Sequence, residues 1–181
     1  MKEKIGFPYT MLSDDMMQHA AAGYGGQGTL CGSLGACSAL INLVTMDKNQ
    51  THTQMVAHLL NWYAVSNFPT DRFDAICYFP KQVRVVPNSP LCHISVSTWA
   101  MKAGVQVSSK EKKDRCAKVA GEVAFQTVLM LNDYADGKYK QSLPAVSAAT
   151  AHCLSCHGPA GAENNQQGRM VCDMCHDDHT K

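Results

Sequence analysis

The fold is decided by residues 108–137, SSKEKKDRCAKVAGEVAFQTVLMLNDYADG, which carry the clearest helical pattern in the chain. Apolar and small residues recur there at intervals of three and four: Cys116, Val119, Ala120, Val123, Thr127, Met130 and Leu131. This spacing places them on one face of an α-helix. Ser108 and Glu111 have the spacing of a capping box, and Asp136-Gly137 ends the pattern. We therefore predict one long amphipathic helix over this stretch.

Helical signals also occur upstream of this stretch. Ser13 opens an apolar-periodic segment that Gly23 ends, as an N-cap and a glycine after the last turn would. Thr51 and Gln54 have the spacing of a second capping box, and three residues that follow share one face: Met55, Leu59 and Trp62. Residues 83–86 suit a short strand, but no convincing partner strand is near. The body of the protein is therefore predicted to be mainly helical.

The composition limits the class of protein. The chain has 181 residues, of which 45% are apolar and 17% are charged, with a formal net charge of +1. Such a chain can bury a core, and it lacks the clustered basic residues that nucleic-acid binding needs. The longest apolar run, residues 36–46, is too short to cross a bilayer. We expect a soluble protein with no nucleic-acid partner and no membrane insertion. Nine cysteines and eight histidines exceed what packing requires.

The composition changes near residue 151. From His152 onward there are four cysteines and four histidines, and almost no large apolar residues. A segment of this kind cannot fold around its own side chains, so it needs a metal or a covalently attached cofactor. We divide the chain into a helical, cysteine-containing domain over residues 1–151 and a cofactor-binding segment over residues 152–181.

Two CxxCH motifs lie in this C-terminal segment. They are Cys153-Leu-Ser-Cys156-His157 and Cys172-Asp-Met-Cys175-His176. CxxCH is the attachment signature of haem c, in which both thiols form thioethers and the adjacent histidine binds the iron. The pattern therefore predicts two haem c groups, with His157 and His176 as the proximal ligands. The fold class is then mainly α, a helical redox domain followed by an irregular dihaem-binding segment.

The same four cysteines allow other readings. The spacing Cys153-x2-Cys156-x15-Cys172-x2-Cys175 also fits a four-thiolate zinc ribbon, and disulfides are a third possibility. A ribbon needs only the cysteines, so a histidine after each pair would be a coincidence. The linker between the pairs also has little strand character. These features favour haem over zinc.

Each haem needs a sixth ligand or an open position. The candidate distal ligands are His19, His152 and His179, and the last two flank the haem motifs. Met170 and Met174 compete for this role, although most methionines in a helical protein are packing residues. We expect bis-His ligation, which favours a lower potential than His/Met ligation. The linker spans on the order of 20 Å as a flexible coil, so the two haems should exchange electrons.

A second cysteine cluster lies in the body. The segment Gly23-Tyr-Gly-Gly-Gln-Gly-Thr-Leu-Cys31-Gly-Ser-Leu-Gly35-Ala resembles the glycine-rich loop and CAxxG-type turn of the redox-active C_GCAxxG_C_C family. Cys92 and Cys116 resemble the two later cysteines of that family. With the two CxxCH motifs added, the chain is similar, from about Met16 to its end, to the split-Soret class of dihaem cytochromes of sulfate-respiring bacteria.

This resemblance implies a helical redox domain, bis-His haems packed together at one end of a homodimer, and an iron-sulfur centre in the body. The chain departs from the family pattern, because the earliest family cysteine is absent and Cys37 is an addition. Four thiolates would suit a [2Fe-2S] or other non-haem iron centre: Cys31, Cys37, Cys92 and Cys116. The alternative is that they are buried small hydrophobic residues. Cys77 is most simply a packed thiol.

The glycine loop also matches GxGxxG at Gly23, Gly25 and Gly28. The preceding residues look helical rather than strand-like, so the match is a weak indication of nucleotide binding. A tight turn that directs backbone amides toward Cys31 is the better interpretation.

The leading functional prediction is an electron-transfer cytochrome rather than an enzyme, with redox proteins as its partners. A haem-dependent reductase acting on a small substrate and a zinc-ribbon interaction module are the alternatives. Because haem c attachment takes place outside the bacterial inner membrane, we expect a periplasmic protein of anaerobic respiration. Its export signal would then lie outside this numbering.

Overall fold

The computed structural model describes residues 2–47, 49–140, 143–177 and 179. The α-helices are α1 (Lys2–Ile5), α2 (Gly32–Thr45), α3 (Thr51–Val65), α4 (Cys92–Ala103), α5 (Lys110–Ala135) and α6 (Ala148–His157). Short 3-10 helices span Tyr9–Met11, Asp14–Ala20 and Asp74–Ile76. Within these ranges the β-structure is limited to two isolated antiparallel bridges, Leu30 with Leu91 and Phe68 with Val85. The prediction of a mainly helical protein is confirmed, and the run at 83–86 forms a bridge rather than a strand.

The helix starts differ from the predicted capping boxes. Helix α5 is capped by Ser109, whose hydroxyl accepts a 3.1 Å hydrogen bond from the Lys112 amide, one residue later than predicted. At the start of α3, the Asp47 carboxylate accepts from both the amide and the hydroxyl of Thr51. Thr51 is therefore the first helical residue rather than the N-cap, because a carboxylate four residues upstream satisfies these donors.

The segment after Ser13 is helical, but it is shorter and tighter than predicted. Ser13 caps it by accepting a hydrogen bond from the Asp15 amide, as expected. It is a 3-10 helix that ends at Ala20, before Gly23. The glycine loop then begins directly at its end.

The core lies between α2, α3 and α5, which contact one another in all three pairs. Its fully buried residues come from each helix and from the loop after α3: Leu34, Ile41, Met55, Leu59, Tyr63, Phe68, Val119 and Val123. Tyr63 takes the buried position on α3 that the periodicity assigned to Trp62, which is only partly buried. These three helices form the frame that carries the body cysteines.

A second face of α5 buries charged residues. Asp114, Lys118 and Glu122 follow one another at intervals of one turn, and all three are buried. Lys118 Nζ lies 2.6 Å from Asp74 Oδ1, and Glu122 Oε1 accepts a hydrogen bond from the Thr70 amide. Buried charges are tolerated when they are paired in this way. The network fastens the loop over residues 70–81 to α5.

Helix α6 crosses the domain boundary that we predicted at 151/152, and the boundary itself remains a prediction. Ser147 caps the helix by accepting from the Thr150 amide. Among the described residues from 152 onward, Gly158 alone is buried. This segment therefore has no side-chain core of its own, in agreement with the need for a cofactor. In the described ranges, no helix has the length and apolar character that a bilayer span requires.

Candidate haem and cysteine sites

The two CxxCH motifs lie next to each other. The first occupies the second half of α6, and the second lies in a turn where the amides of Cys175 and His176 donate to the Cys172 carbonyl. Burial raises the pKa of the Cys172 thiol, and the charge of the neighbouring Cys153 thiol raises it further. The leading cysteine of each motif is thus beside that of the other. No disulfide joins any of the nine cysteines, all of which are described.

His157 is held by the linker that follows it. Its Nδ1 donates to Asn165 Oδ1 at 2.9 Å, and its carbonyl accepts from the amides of Asn165 and Gln166. A hydrogen bond at Nδ1 fixes the tautomer in which Nε2 is free to bind a metal. The arrangement fits an axial haem ligand, because the ring is oriented and its second nitrogen is left available.

The structure brings one of the three candidate distal histidines to a haem motif. The ring of His179 lies edge-on to that of His157, with 5.6 Å between the centroids. His152 is exposed on α6, directly before Cys153. His19 lies on the 3-10 helix of the body, where its Nδ1 is 2.7 Å from the Met16 carbonyl.

In the body, paired backbone segments bring Cys31 and Cys92 together. The Cys31 amide donates to the Pro90 carbonyl, and the Cys92 amide donates to the Thr29 carbonyl at 2.6 Å. Gly23 allows this approach, because a Cβ at this position would lie 2.8 Å from the Cys92 Cβ. Its φ of +74° is also one that other residues rarely adopt.

Three of the four predicted body cysteines line one cavity. The cavity has a volume of about 620 Å³, and Cys31, Cys92 and Cys116 all contribute to its wall. Burial raises the pKa of Cys92, and the other two thiols act in the same direction. Cys37 is not brought to the wall. It is buried in the core, where burial raises its pKa, near Thr127.

Two helices begin at this cavity. Cys31 is the N-cap of α2, and Cys92 is the first residue of α4. Neither N-cap residue forms a side-chain capping hydrogen bond, so amide donors at both helix starts lack that partner. Helix N-termini stabilise negative charge and favour the thiolate form of a cysteine. At the two helix starts this effect opposes the rise in the pKa of Cys92 that burial and the neighbouring thiols cause.

A buried cation directly precedes one of the cavity cysteines in the sequence. Arg115, one residue before Cys116, is buried and its Nε has no hydrogen-bond partner. A buried cation of this kind calls for nearby negative charge. In the described ranges, no three His, Cys, Asp or Glu side chains are placed to hold a single metal ion.

The glycine loop does not follow a β-strand, as the GxGxxG loop of a nucleotide-binding βαβ unit would. The residues before it form a 3-10 helix, and the amides of Gly25, Gly26 and Gly28 donate to carbonyls of residues 19–22. These amides are therefore used within the turn. The prediction that they are directed toward Cys31 is wrong. Cys77 is partly buried in the loop over residues 70–81, away from the cavity wall.

Sequence reasoning missed Asn165, Lys112 and Arg115. Lys112 and Cys116 are one turn apart on α5 and both line the cavity, so helical spacing from the cysteine could have indicated Lys112. Arg115 lies one turn before Val119, on the apolar face, where a cation is unexpected. Asn165 lies in a linker without periodicity, so nothing in the sequence indicated it.

Comparison with known proteins agrees with this arrangement. Residues 1–130 match the family model described as "Putative redox-active protein (C_GCAxxG_C_C)". Over 180 residues the chain is 31% identical to split-Soret cytochrome c of Desulfovibrio desulfuricans, and the match covers 97% of this chain and 64% of that protein. The chain therefore spans about two thirds of the relative's length.

A solved structure is also similar. It is described as a novel iron centre in the split-Soret cytochrome c from Desulfovibrio desulfuricans ATCC 27774. It superposes with a TM-score of 0.87 at 30% identity, covering 98% of this chain and 75% of that one. These similarities support a redox or electron-transfer role that uses haem or iron. The chain belongs to the C_GCAxxG_C_C family of redox-active proteins and is a homologue of split-Soret cytochrome c.

Proposed function

We propose that this protein is a dihaem c-type cytochrome that carries electrons. The thioether positions are Cys153 and Cys156 for one haem and Cys172 and Cys175 for the other. The observation that carries the proposal is that the two complete CxxCH motifs lie side by side, because the Thr150 hydroxyl of α6 donates to the Met170 carbonyl at 3.3 Å and Cys153 raises the pKa of Cys172. Haem supplies a one-electron iron couple when it is bound, and the protein supplies position and ligands. Two adjacent attachment sites suit transfer between haems.

His157 and His176 would bind the two haem irons, and a second histidine would complete the coordination of each iron. The contact of the His179 ring with that of His157 supports a bis-His site at the first motif. His19 and His152 are the remaining distal candidates, and either one can come from a second subunit. We infer a homodimer, because the described residues after 151 offer too few buried side chains to cover two haem faces.

The body holds a non-haem iron centre, a [2Fe-2S] cluster or a related one, on Cys31, Cys92 and Cys116. The shared cavity and the two helix starts support this assignment. The related cytochrome, whose solved structure is described by its novel iron centre, supports it as well. Cys37, which the sequence analysis grouped with these three, lies in the core and is assigned to packing.

A second candidate function is reduction of a small substrate in the cysteine cavity. Its volume of about 620 Å³ falls in the range of small-molecule sites. His93 and Lys112 lie in its wall and can supply polar contacts. The carrier function is preferred because the chain offers two haem attachment motifs but no evident acid and base pair for turnover. In either case the protein works in the periplasm with redox proteins as partners.

One spectroscopic experiment separates these functions. Absorption spectra of the purified protein are recorded in the oxidised form, in the reduced form, and in the reduced form with carbon monoxide. A carrier with two six-coordinate haems shows low-spin bands that carbon monoxide leaves unchanged. Rapid carbon monoxide binding supports an open site and the reductase, whereas the absence of a Soret band rules out a cytochrome.

A further inference from the structure

Arg115 is a buried cation with no carboxylate partner in the described ranges. Its side chain is 2% exposed, and its Nη2 donates to the Ser95 hydroxyl at 2.8 Å. Its other neighbour is the Trp99 ring, whose centroid lies 6.0 Å from the guanidinium carbon. In the part of the chain that the structure describes, no carboxylate pairs with it. Arginine keeps its charge under all ordinary conditions, so burial without a counter-charge is costly.

Lys118, one turn further along α5, is a second buried cation on the same helix, and it is paired with carboxylates. Its ammonium lies 2.6 Å from Asp74 and 3.9 Å from Asp114, and it also donates to the Phe79 carbonyl. Two carboxylates therefore accompany one lysine. Among the residues that the structure describes, the counter-charge of Arg115 is therefore not a carboxylate.

The thiols of the cavity can carry negative charge, and the Arg115 guanidinium acts electrostatically on one of them, Cys92. Arg115 directly precedes Cys116, and its partner Ser95 lies one turn after Cys92 on α4. The Ser95 hydroxyl is also 2.7 Å from the Tyr63 hydroxyl, which is close enough to Cys31 to sense its charge. The Ser95 hydroxyl, itself hydrogen-bonded to Tyr63, therefore holds the guanidinium, and the charge of the guanidinium opposes the rise that burial causes in the pKa of the Cys92 thiol.

We propose that Arg115 is the counter-charge of the anionic metal centre on Cys31, Cys92 and Cys116. This inference rests on the proposed non-haem iron centre, and it assigns a positioning residue to that centre. Thiolate ligands and bridging sulfides carry a net negative charge, which the two helix starts offset only in part. A fixed cation that acts on the Cys92 ligand stabilises the loaded centre and raises its reduction potential, because reduction adds a further electron.

The test compares three variants of the full haem-containing chain. Arg115→Met removes the charge and keeps much of the volume, Arg115→Lys keeps the charge, and Lys118→Met is the matched control on the same helix. Three quantities are measured: chelator-resistant non-haem iron per haem, the midpoint potential of the non-haem centre, and the thermal midpoint of the protein after non-haem iron is removed.

Arg115→Met is expected to bind non-haem iron about 10- to 100-fold more weakly and to lower the potential of the centre. Arg115→Lys recovers most of the affinity. Without non-haem iron, Arg115→Met is at least as stable as the wild type, because the unpaired charge is gone. Lys118→Met lowers the thermal midpoint with or without iron and leaves iron affinity unchanged. The proposal is overturned if Arg115→Met destabilises the iron-free protein as Lys118→Met does and leaves iron affinity unchanged.

The wild type separates this inference from the proposed centre. If protein prepared without oxygen contains no non-haem iron, the iron centre is wrong, and Co²⁺ is added as a thiophilic probe. Weaker Co²⁺ binding in Arg115→Met than in the wild type then still supports the charge role. Equal binding, or no binding to the wild type, contradicts it.

Discussion

The Nδ1 of His157 donates to Asn165 Oδ1 at 2.9 Å, which joins the candidate iron ligand of the first motif to the linker that follows it. The Asn165 amide also donates to the His157 carbonyl, so the two residues are tied at the backbone and at the side chains. A hydrogen bond from Nδ1 increases the donor strength of Nε2 and favours the oxidised iron. In the proposed dihaem cytochrome, the linker would therefore help to set the potential of the haem at the first motif.

Asn165→Ala should raise the potential of one haem and leave the other unchanged. The expected rise is about 40 mV, the one-electron equivalent of a hydrogen bond worth about 1 kcal/mol. Potentiometric titration of the Soret band measures both haems. Asn164→Gly is the control, because it changes the neighbouring position, which has a positive φ, without removing the acceptor. Identical potentials in Asn165→Ala and the wild type would show that this hydrogen bond does not tune the iron.

The body cysteines should separate into ligands and packing residues. Serine at Cys31, Cys92 or Cys116 should abolish non-haem iron while the haem content stays at two per chain. Cys37→Ala should retain the iron but lower the free energy of unfolding by about 1–2 kcal/mol, because it removes a buried thiol from the core. Cys77→Ala serves as a neutral control. Iron and haem are assayed on protein prepared without oxygen. Loss of non-haem iron from Cys37→Ala would show that Cys37 is a ligand of the centre.

The parts of this protein that follow from sequence are those with short-range patterns. The helical spacing of Val119, Val123 and Thr127, at intervals of four residues, indicated α5. The CxxCH spacing indicated both haem motifs. The convergence of Cys31 with Cys92 depends on backbone pairing between segments 60 residues apart, which no local pattern encodes. The grouping of Cys31, Cys92 and Cys116 came from the family resemblance, with Cys37 added as a fourth thiol, but Cys37 is buried in the core and is not part of the cavity wall. The start of α3 was predicted from the Thr51–Gln54 spacing, but a carboxylate four residues upstream, Asp47, accepts the hydrogen bonds from Thr51 instead.

In the proposed homodimer, the haem-binding segments (residues 152–181) of the two subunits should pack together across a twofold axis. Sedimentation is expected to show a dimer, and closely packed porphyrins should split or distort the Soret band. Dilution below the dissociation constant should give a monomer and an ordinary Soret band together. A monodisperse monomer with an unsplit band and two six-coordinate irons would mean that each chain closes its own haem sites.

The Lys118–Asp74 pair should make stability depend on acid pH. The hydrogen bond from Lys118 lowers the pKa of Asp74, and the Lys81 amide acts in the same direction. The stabilisation is complete above the unfolded pKa of about 3.9 and is lost as the pH falls through the lower folded value. Urea unfolding between pH 2 and 5 should therefore show less pH dependence in Asp74→Asn. Asp71→Asn, an exposed carboxylate of the same loop, is the control and should follow the wild type.

The assignment of two covalent haems is tested most directly by the intact mass under denaturing conditions. The protein is produced in a host with a working haem c maturation system. The mass of the chain plus two haem units is expected, with one unit lost when Cys153 or Cys172 is replaced. The mass of the bare chain from such a host would contradict the dihaem cytochrome.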